Sequence, residues 1–173
     1  MRKSKKINIL LLTNIILIIT EITSIYIIYK LYTLVYRIEY LIPICLIQII
    51  FTIKCFIYKN NQIKKNHVIY FFLSICILVI TYSNLPTYTY SRGENLITSN
   101  FNSQDDFQIC YLNFNQKTIP VSGNNSNILI SNKFYYYKIN LNGYYIYYAI
   151  NPKNGEIKKL SNEFCNKNQT KIR

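Results

Sequence analysis

Glu21 sits inside the apolar run "INILLLTNIILIITEITSIYIIY" (Ile7–Tyr29). An ionisable side chain within a helix of membrane length is costly and marks a functional site by default. At 1.5 Å of rise per residue, Glu21 lies about 21 Å along that run. Two further apolar runs follow, Leu41–Tyr58 and Val68–Leu85. Counted from their cytoplasmic ends, Gln48 lies about 15 Å up and Thr81–Tyr82 about 20 Å. Gln48, Thr81 and Tyr82 are therefore the expected hydrogen-bond partners of Glu21 in one intramembrane polar site. Lys54, at about 6 Å by the same count, is expected to snorkel to the cytoplasmic surface. No second acid or base is level with Glu21, so the expectation is a protonated glutamate acting as polar glue among three helices, or one near enough the outer interface to stay wet. A proton-sensitive site and a contact with a partner helix are the functional alternatives.

Other reactive groups are sparse. His67 is the only histidine. No Ser-His-Asp set, HExxH motif, paired-cysteine zinc spacing, P-loop or GxGxxG is present. Asp105 and Asp106 are adjacent, but no general base accompanies them, and a solvated or capping turn accounts for the pair. The expectation is no enzyme activity, no metal and no cofactor. Asn124 and Asn168 begin N-x-S/T triplets, which carry little weight in an Asn-rich chain.

The elements that would position Glu21 are three transmembrane helices, over about 7–29, 41–58 and 68–85. Each is close to or above the roughly 20 residues needed to cross the hydrocarbon core, and none shows the polar stripe of a soluble amphipathic helix. The first run follows Arg2, Lys3, Lys5 and Lys6 and lacks a small-residue cleavage site near Thr20–Ser24, so an uncleaved signal-anchor is expected. Seven basic residues lie in the N-terminal tail and the Lys59–His67 loop, against Lys30 and Arg37 in the other short loop. That bias puts the N-terminus in the cytoplasm and residues 86–173 outside, in a multi-pass protein of the cytoplasmic membrane. Tyr26, Tyr29, Tyr40, Tyr58, Tyr70 and Tyr82 fall near the span ends, where amphipathic rings settle. Residues 1–85 carry +8 of the net charge of +13, with the cations mainly flanking the apolar runs, which favours a lipid bilayer over nucleic acid as partner.

Residues 86–106 read as a linker, with a short helix over 94–106, and 107–173 as a small extracytoplasmic β-rich domain. Strand signals occupy "FQICYLNF", "NILIS", "KFYYYKIN", "YYIYYAI" and "EIKKL". Asn142-Gly143 suits a two-residue type I′ hairpin turn. It would pair Leu141 with Tyr144, Ile139 with Ile146, Tyr137 with Tyr148 and Tyr135 with Ile150, all on one apolar face. Tyr136, Lys138, Tyr145 and Tyr147 would share the other face and form a candidate contact surface. Cys110 and Cys165 lie in the exported part, where a disulfide can persist. Such a bond would stabilise a domain of this size by about 4 kcal/mol. Cys45, Cys55 and Cys76 read as small buried hydrophobes. Lys153, Lys158, Lys159, Lys167, Lys171 and Arg173 make the C-terminal end basic, read as a solvated face.

The fold class expected is thus a membrane protein: three transmembrane α-helices followed by a small antiparallel β-sheet (α+β) domain. Its function would be non-enzymatic recognition at the membrane, as in a bacterial immunity or exclusion-type protein. The alternative is an accessory subunit of a transport, secretion or envelope-assembly complex, with Glu21 and the polar first helix as docking surface. A sensor is a third option, but the short cytoplasmic loop and tail offer little output surface. Another membrane or envelope protein is the expected partner, rather than a small molecule.

Overall fold

The computed structural model describes residues 2–58, 63–99, 101, 107–122 and 127–164. The described residues form four α-helices and a small antiparallel sheet, an α+β architecture. The helices are α1 (Arg2–Tyr32), α2 (Ile42–Tyr58), α3 (Ile63–Ser83) and α4 (Tyr90–Thr98). The strands are β1 (Phe107–Ile109), β2 (Thr118–Pro120), β3 (Lys133–Leu141), β4 (Tyr144–Ile150) and β5 (Ile157–Leu160). The chain divides into two compact units: residues 1–28 with 38–85, and residues 29–37 with 86–173.

Among the described residues, one helix is long and apolar enough to cross a membrane, over Leu12–Tyr32. Helix α2 has 17 residues, and the apolar part of α3 covers Phe71–Ser83. All three helices differ at their ends from the expected spans. α1 and α3 begin five residues before the apolar runs do, because a helical backbone does not stop where hydrophobicity stops. His67, Lys64 and Lys65, expected in a loop, accordingly lie in the first turns of α3.

Burial in the first unit is inverted relative to a soluble bundle. Asn14, Glu21, Ser24, Gln48, Ser74 and Thr81 are buried, while Leu12, Ile16, Ile19, Ile22, Leu46, Ile50, Phe72 and Val79 are at least half exposed. The buried positions recur at three-, four- and seven-residue steps: Asn14, Glu21, Ser24 and Ile28 on α1, then Leu41, Cys45 and Gln48 across the start of α2, then Ser74 and Thr81 on α3. Such spacing gives each helix one seam. The polar residues that look scattered in sequence are gathered on it.

In the second unit, α1 is followed by Thr33 and Leu34 in the left-handed region (φ 38° and 61°). The chain then turns into the sheet unit. Tyr36 forms an antiparallel bridge with Ile130, and Arg37 N–H donates to the Leu129 carbonyl at 2.8 Å. Ser131 returns the contact, its Oγ donating to the carbonyls of Leu34 (2.9 Å) and Val35 (2.8 Å). Val35 is fully buried.

β3 is the centre of the sheet. It pairs with β4 along one edge and with β1 and then β2 along the other, and β5 adds to β4. The β3–β4 register is that expected from a two-residue loop, Leu141 with Tyr144 through Tyr135 with Ile150. Asn142 (φ 51°) and Gly143 (φ 86°) supply the positive φ angles a type I′ turn requires. Other expectations differ. The segment "NILIS" contributes one bridge rather than a strand, and "FQICYLNF" is a three-residue strand followed by a 3-10 turn over Phe114–Gln116. The helix expected over 94–106 is instead α4, inside the stretch read as linker. It is started by Thr89, whose side chain accepts from Arg92 N–H.

Both faces of the sheet are covered. One packs Tyr135, Tyr137, Ile139 and Ile150 against Ile97 of α4, Val35 and Ile130. The other packs Tyr136 and Ala149 with Leu112 and Ile119, flanked by Phe134, Tyr147, Leu160 and Phe164.

Candidate functional site

Glu21 is 2% exposed and ties the three seams together. Gln48 Nε2 donates to Glu21 Oε1 at 3.3 Å and to Ser74 Oγ at 3.0 Å. Ser74 Oγ in turn donates to Glu21 Oε1. Cys45 Sγ donates to Oε2 at 3.5 Å. One carboxylate thus accepts from α2 twice and from α3 once, which orients all three helices about a single point.

Of the expected partners, Gln48 meets Glu21. Thr81 is buried on the α3 seam, and Tyr82 shares a 2.9 Å hydrogen bond with Ser24 instead. Lys54 is exposed. Ser74 and Cys45 were not anticipated. Counted from Val68, Ser74 stands only about 9 Å up; from the true start of α3 at Ile63 it stands about 16 Å up, level with Gln48. The seven-residue step from Ser74 to Thr81 was the signal that could have found it.

A cavity of about 10 Å³ adjoins this cluster, lined by Asn14, Leu17, Ile18, Gln48, Thr52 and Ser74. That is the space of one water-sized sphere. Gln48 Nε2 is committed to its two acceptors, and Gln48 Oε1 is buried with no hydrogen-bond partner among the described residues. Thr52 Oγ1 donates to the Gln48 carbonyl at 2.9 Å, which aims its oxygen lone pairs away from its own helix backbone. Among the described residues, no three of His, Cys, Asp and Glu come together as a transition metal would require.

The aromatic hairpin resolves into a core and a tip. Tyr137 is buried, stacks on Tyr90 of α4 (centroids 4.6 Å apart) and donates to the Tyr90 carbonyl at 2.6 Å. Tyr135 donates to the Tyr88 carbonyl at 3.1 Å. Burial holds the Tyr90, Tyr135 and Tyr137 hydroxyls well above the ordinary tyrosine pKa.

Two assignments are corrected. Tyr136, expected on the contact face, is fully buried, because residues 112–119 and Phe164 cross over that side of β3. Tyr144, expected in the core, is 78% exposed, because the hairpin tip extends past the layers that cover the strands. Tyr145 is exposed and Tyr147 half-buried. Lys138 Nζ sits 4.2 Å from the centre of the Tyr145 ring and 5.9 Å from that of Tyr147, and pairs with Glu163 at 2.7 Å. The hydrogen bond to Glu163 raises the Lys138 pKa.

Cys110 is half-buried with a free thiol; its expected partner Cys165 lies outside the described residues, as do Asp105, Asp106, Asn124 and Asn168. Set against known protein families, characterised proteins and solved structures, the chain finds no match in any of the three.

Proposed function

We propose that this is a multi-pass protein of the cytoplasmic membrane that works by recognition rather than catalysis. The carrying observation is the inverted burial of the α1–α3 unit, with polar groups inside and Ile, Leu, Val and Phe outside. In water that surface would be an unusually large apolar patch, whereas in lipid it is the required one. Glu21 bonds to Gln48 and Ser74, so α2 and α3 share the depth of α1. At 17 residues α2 is short but within the range that crosses a bilayer.

Support for the orientation comes from the first connection. Tyr36 bridges Ile130, so residues 29–37 and the sheet must lie on one side of any bilayer. Between residues 37 and 86 the chain must therefore cross an even number of times, which α2 and α3 together satisfy. One crossing by α1 then puts the sheet unit opposite the N-terminus, the arrangement the positive-inside bias favours.

The sheet unit is the recognition domain of an immunity or exclusion-type protein, and its tip carries the contact: Tyr144 on one face, and on the other Tyr145 with Lys138 against its ring. Exposed aromatics with a nearby cation have the chemistry of interface hot spots. In the accessory-subunit reading α1 would dock through its polar residues; Asn14, Glu21 and Ser24 are turned inward, which leaves Thr20 and Thr23 among its exposed polar groups. Expression of the gene alone should protect sensitive cells against an envelope-acting toxin encoded beside it. Tyr144→Ser with Tyr145→Ser should abolish protection at unchanged protein level. Full sensitivity to every such toxin would remove the reading.

A further inference from the structure

We propose that the base of the sheet unit, the end opposite the hairpin tip, rests on the bilayer and binds the headgroups of anionic phospholipid. The inference rests on the membrane reading above and adds a second surface to it. Both chain connections to the helices enter the sheet unit at that end. Three residues past Leu85, the last of the helix unit, Tyr88 N–H donates to the Pro152 carbonyl at 3.0 Å, in the turn between β4 and β5. Four residues past the end of α1, Tyr36 bridges Ile130, just before β3 begins. Extended chain covers at most about 3.6 Å per residue, so these two turns stand within about 11 Å of Leu85 and about 14 Å of Tyr32. The headgroup layer is itself about 5–8 Å deep. A third tie is closer still: the Phe114 ring meets Tyr29, in the last turn of α1, with centroids 5.0 Å apart.

The side chains at this end suit such a layer. Ile128, in the turn that leads to Ile130, is 70% exposed. Arg92 and Lys153 are exposed, and Arg37 and Lys133 are half-buried. Arg92 Nη1 donates to the Thr87 carbonyl at 3.4 Å, and its charge acts on Tyr32, the last residue of α1. Of the nearby acids, Glu156 is paired with Lys158 at 3.3 Å, and the charge of Glu94 acts on the core hydroxyls of Tyr90 and Tyr137. Lysine and arginine beside a headgroup layer are drawn to anionic lipid, and an apolar side chain next to them enters its boundary. One exposed isoleucine on a water-facing surface would be unremarkable. Ile128 instead shares the tethered end of the sheet with four cations. The tip stands about 27 Å further along β3, at about 3.4 Å per residue, clear of the lipid and open to a partner.

The chain has no tryptophan, so a single introduced one reports on its own surroundings. Full chains carrying Ile128→Trp, Tyr144→Trp or Ile19→Trp are placed in nanodiscs of phosphatidylcholine with or without phosphatidylglycerol. A nanodisc leaves both leaflets open, so the reading does not depend on orientation. Lipid spin-labelled at its headgroup should quench Ile128→Trp about threefold more than Tyr144→Trp, and more strongly when phosphatidylglycerol is present. Arg92→Gln with Lys153→Gln should remove that dependence on anionic lipid. If Ile128→Trp does not fold, Lys153→Trp in the other base turn should give the same contrast with the tip. Equal quenching at base and tip would overturn the proposal, as would base quenching indifferent to phosphatidylglycerol. Ile19, 58% exposed on α1, tests the reading beneath it: lipid brominated along its chains should quench Ile19→Trp. Failure there would remove the membrane reading itself, whereas a quenched Ile19→Trp with an unquenched base would remove this inference alone.

Discussion

Gly93 of α4 faces Tyr137, and replacing it by Ala should expose how tightly that contact is fitted. A Cβ at Gly93 would meet the Tyr137 hydroxyl, with Cζ at 3.2 Å and Ile150 Cδ1 at 3.3 Å. Tyr137 has no room to retreat: it is fully buried, stacked on Tyr90 and hydrogen-bonded to the Tyr90 carbonyl. Overpacking of this kind costs about 1–3 kcal/mol. Displacing the hydroxyl from its acceptor adds about 1 kcal/mol. The better helix propensity of Ala returns about 1 kcal/mol. The net loss is therefore about 2 kcal/mol, or roughly 8–16 °C in the midpoint of a domain this small. Tyr137→Phe alone should cost about 1 kcal/mol, the lost hydrogen bond. In the Gly93→Ala background, however, removing the hydroxyl also removes the clash, so the double variant should lose about 1–2 kcal/mol less than the sum. Thermal unfolding of the solubilised chain, followed by near-ultraviolet circular dichroism of its tyrosines, reads all four corners of the cycle. A neutral or stabilising Gly93→Ala, or strict additivity, would refute the packing described.

The seam makes a second prediction: Glu21→Leu should destabilise the helix unit by about 1–2 kcal/mol, since Gln48 Nε2 and Ser74 Oγ lose their shared acceptor, while Glu21→Gln retains an acceptor and should cost less than half as much. Unfolding in denaturing detergent separates the two. At the sheet, Glu163→Gln should cost about 0.5 kcal/mol as a half-exposed pair is broken. Because the Lys138 pKa is raised in the folded state, the pair's contribution is full below the ordinary lysine value of 10.5 and is lost as pH rises through the folded value. Tyr135 and Tyr137 act in the same direction, being held neutral by burial. Native sheet should therefore be pH-independent near neutrality and fail above about pH 10, as the unfolded tyrosines ionise. Phenolate absorbance from these two rings before unfolding would contradict their burial.

The hairpin was legible because Asn142-Gly143 fixes a register by local backbone chemistry, and strict alternation then decides which side chains share a face. What covers those faces was not legible. Tyr136 is buried by Leu112 and Ile119, whose segments are too short to alternate, and by Phe164, some 28 positions away in sequence. Residues 30–39 read as a loop because charge and a tally of apolar residues separate spans; the docking of Val35 and Tyr36 is a long-range pairing to Ile130 and Ser131 that no local signal announces. In the helices, Glu21 was conspicuous as an acid among isoleucines. Its partners followed only as far as helix ends were known, so Gln48 was found and Ser74 was not. The apparent scatter of Asn14, Ser24, Ser74 and Thr81 becomes order only when whole helical turns are counted, a pattern weak in runs where nearly every other residue is apolar.

In the proposed topology the sheet unit lies across the membrane from the N-terminus. Tyr144→Cys, at the exposed hairpin tip, tests it by labelling intact cells with a membrane-impermeant maleimide, with the unsubstituted chain as blank. Labelling of intact cells above that blank is the predicted result. Labelling that appears only after lysis would place the tip in the cytoplasm and overturn that topology.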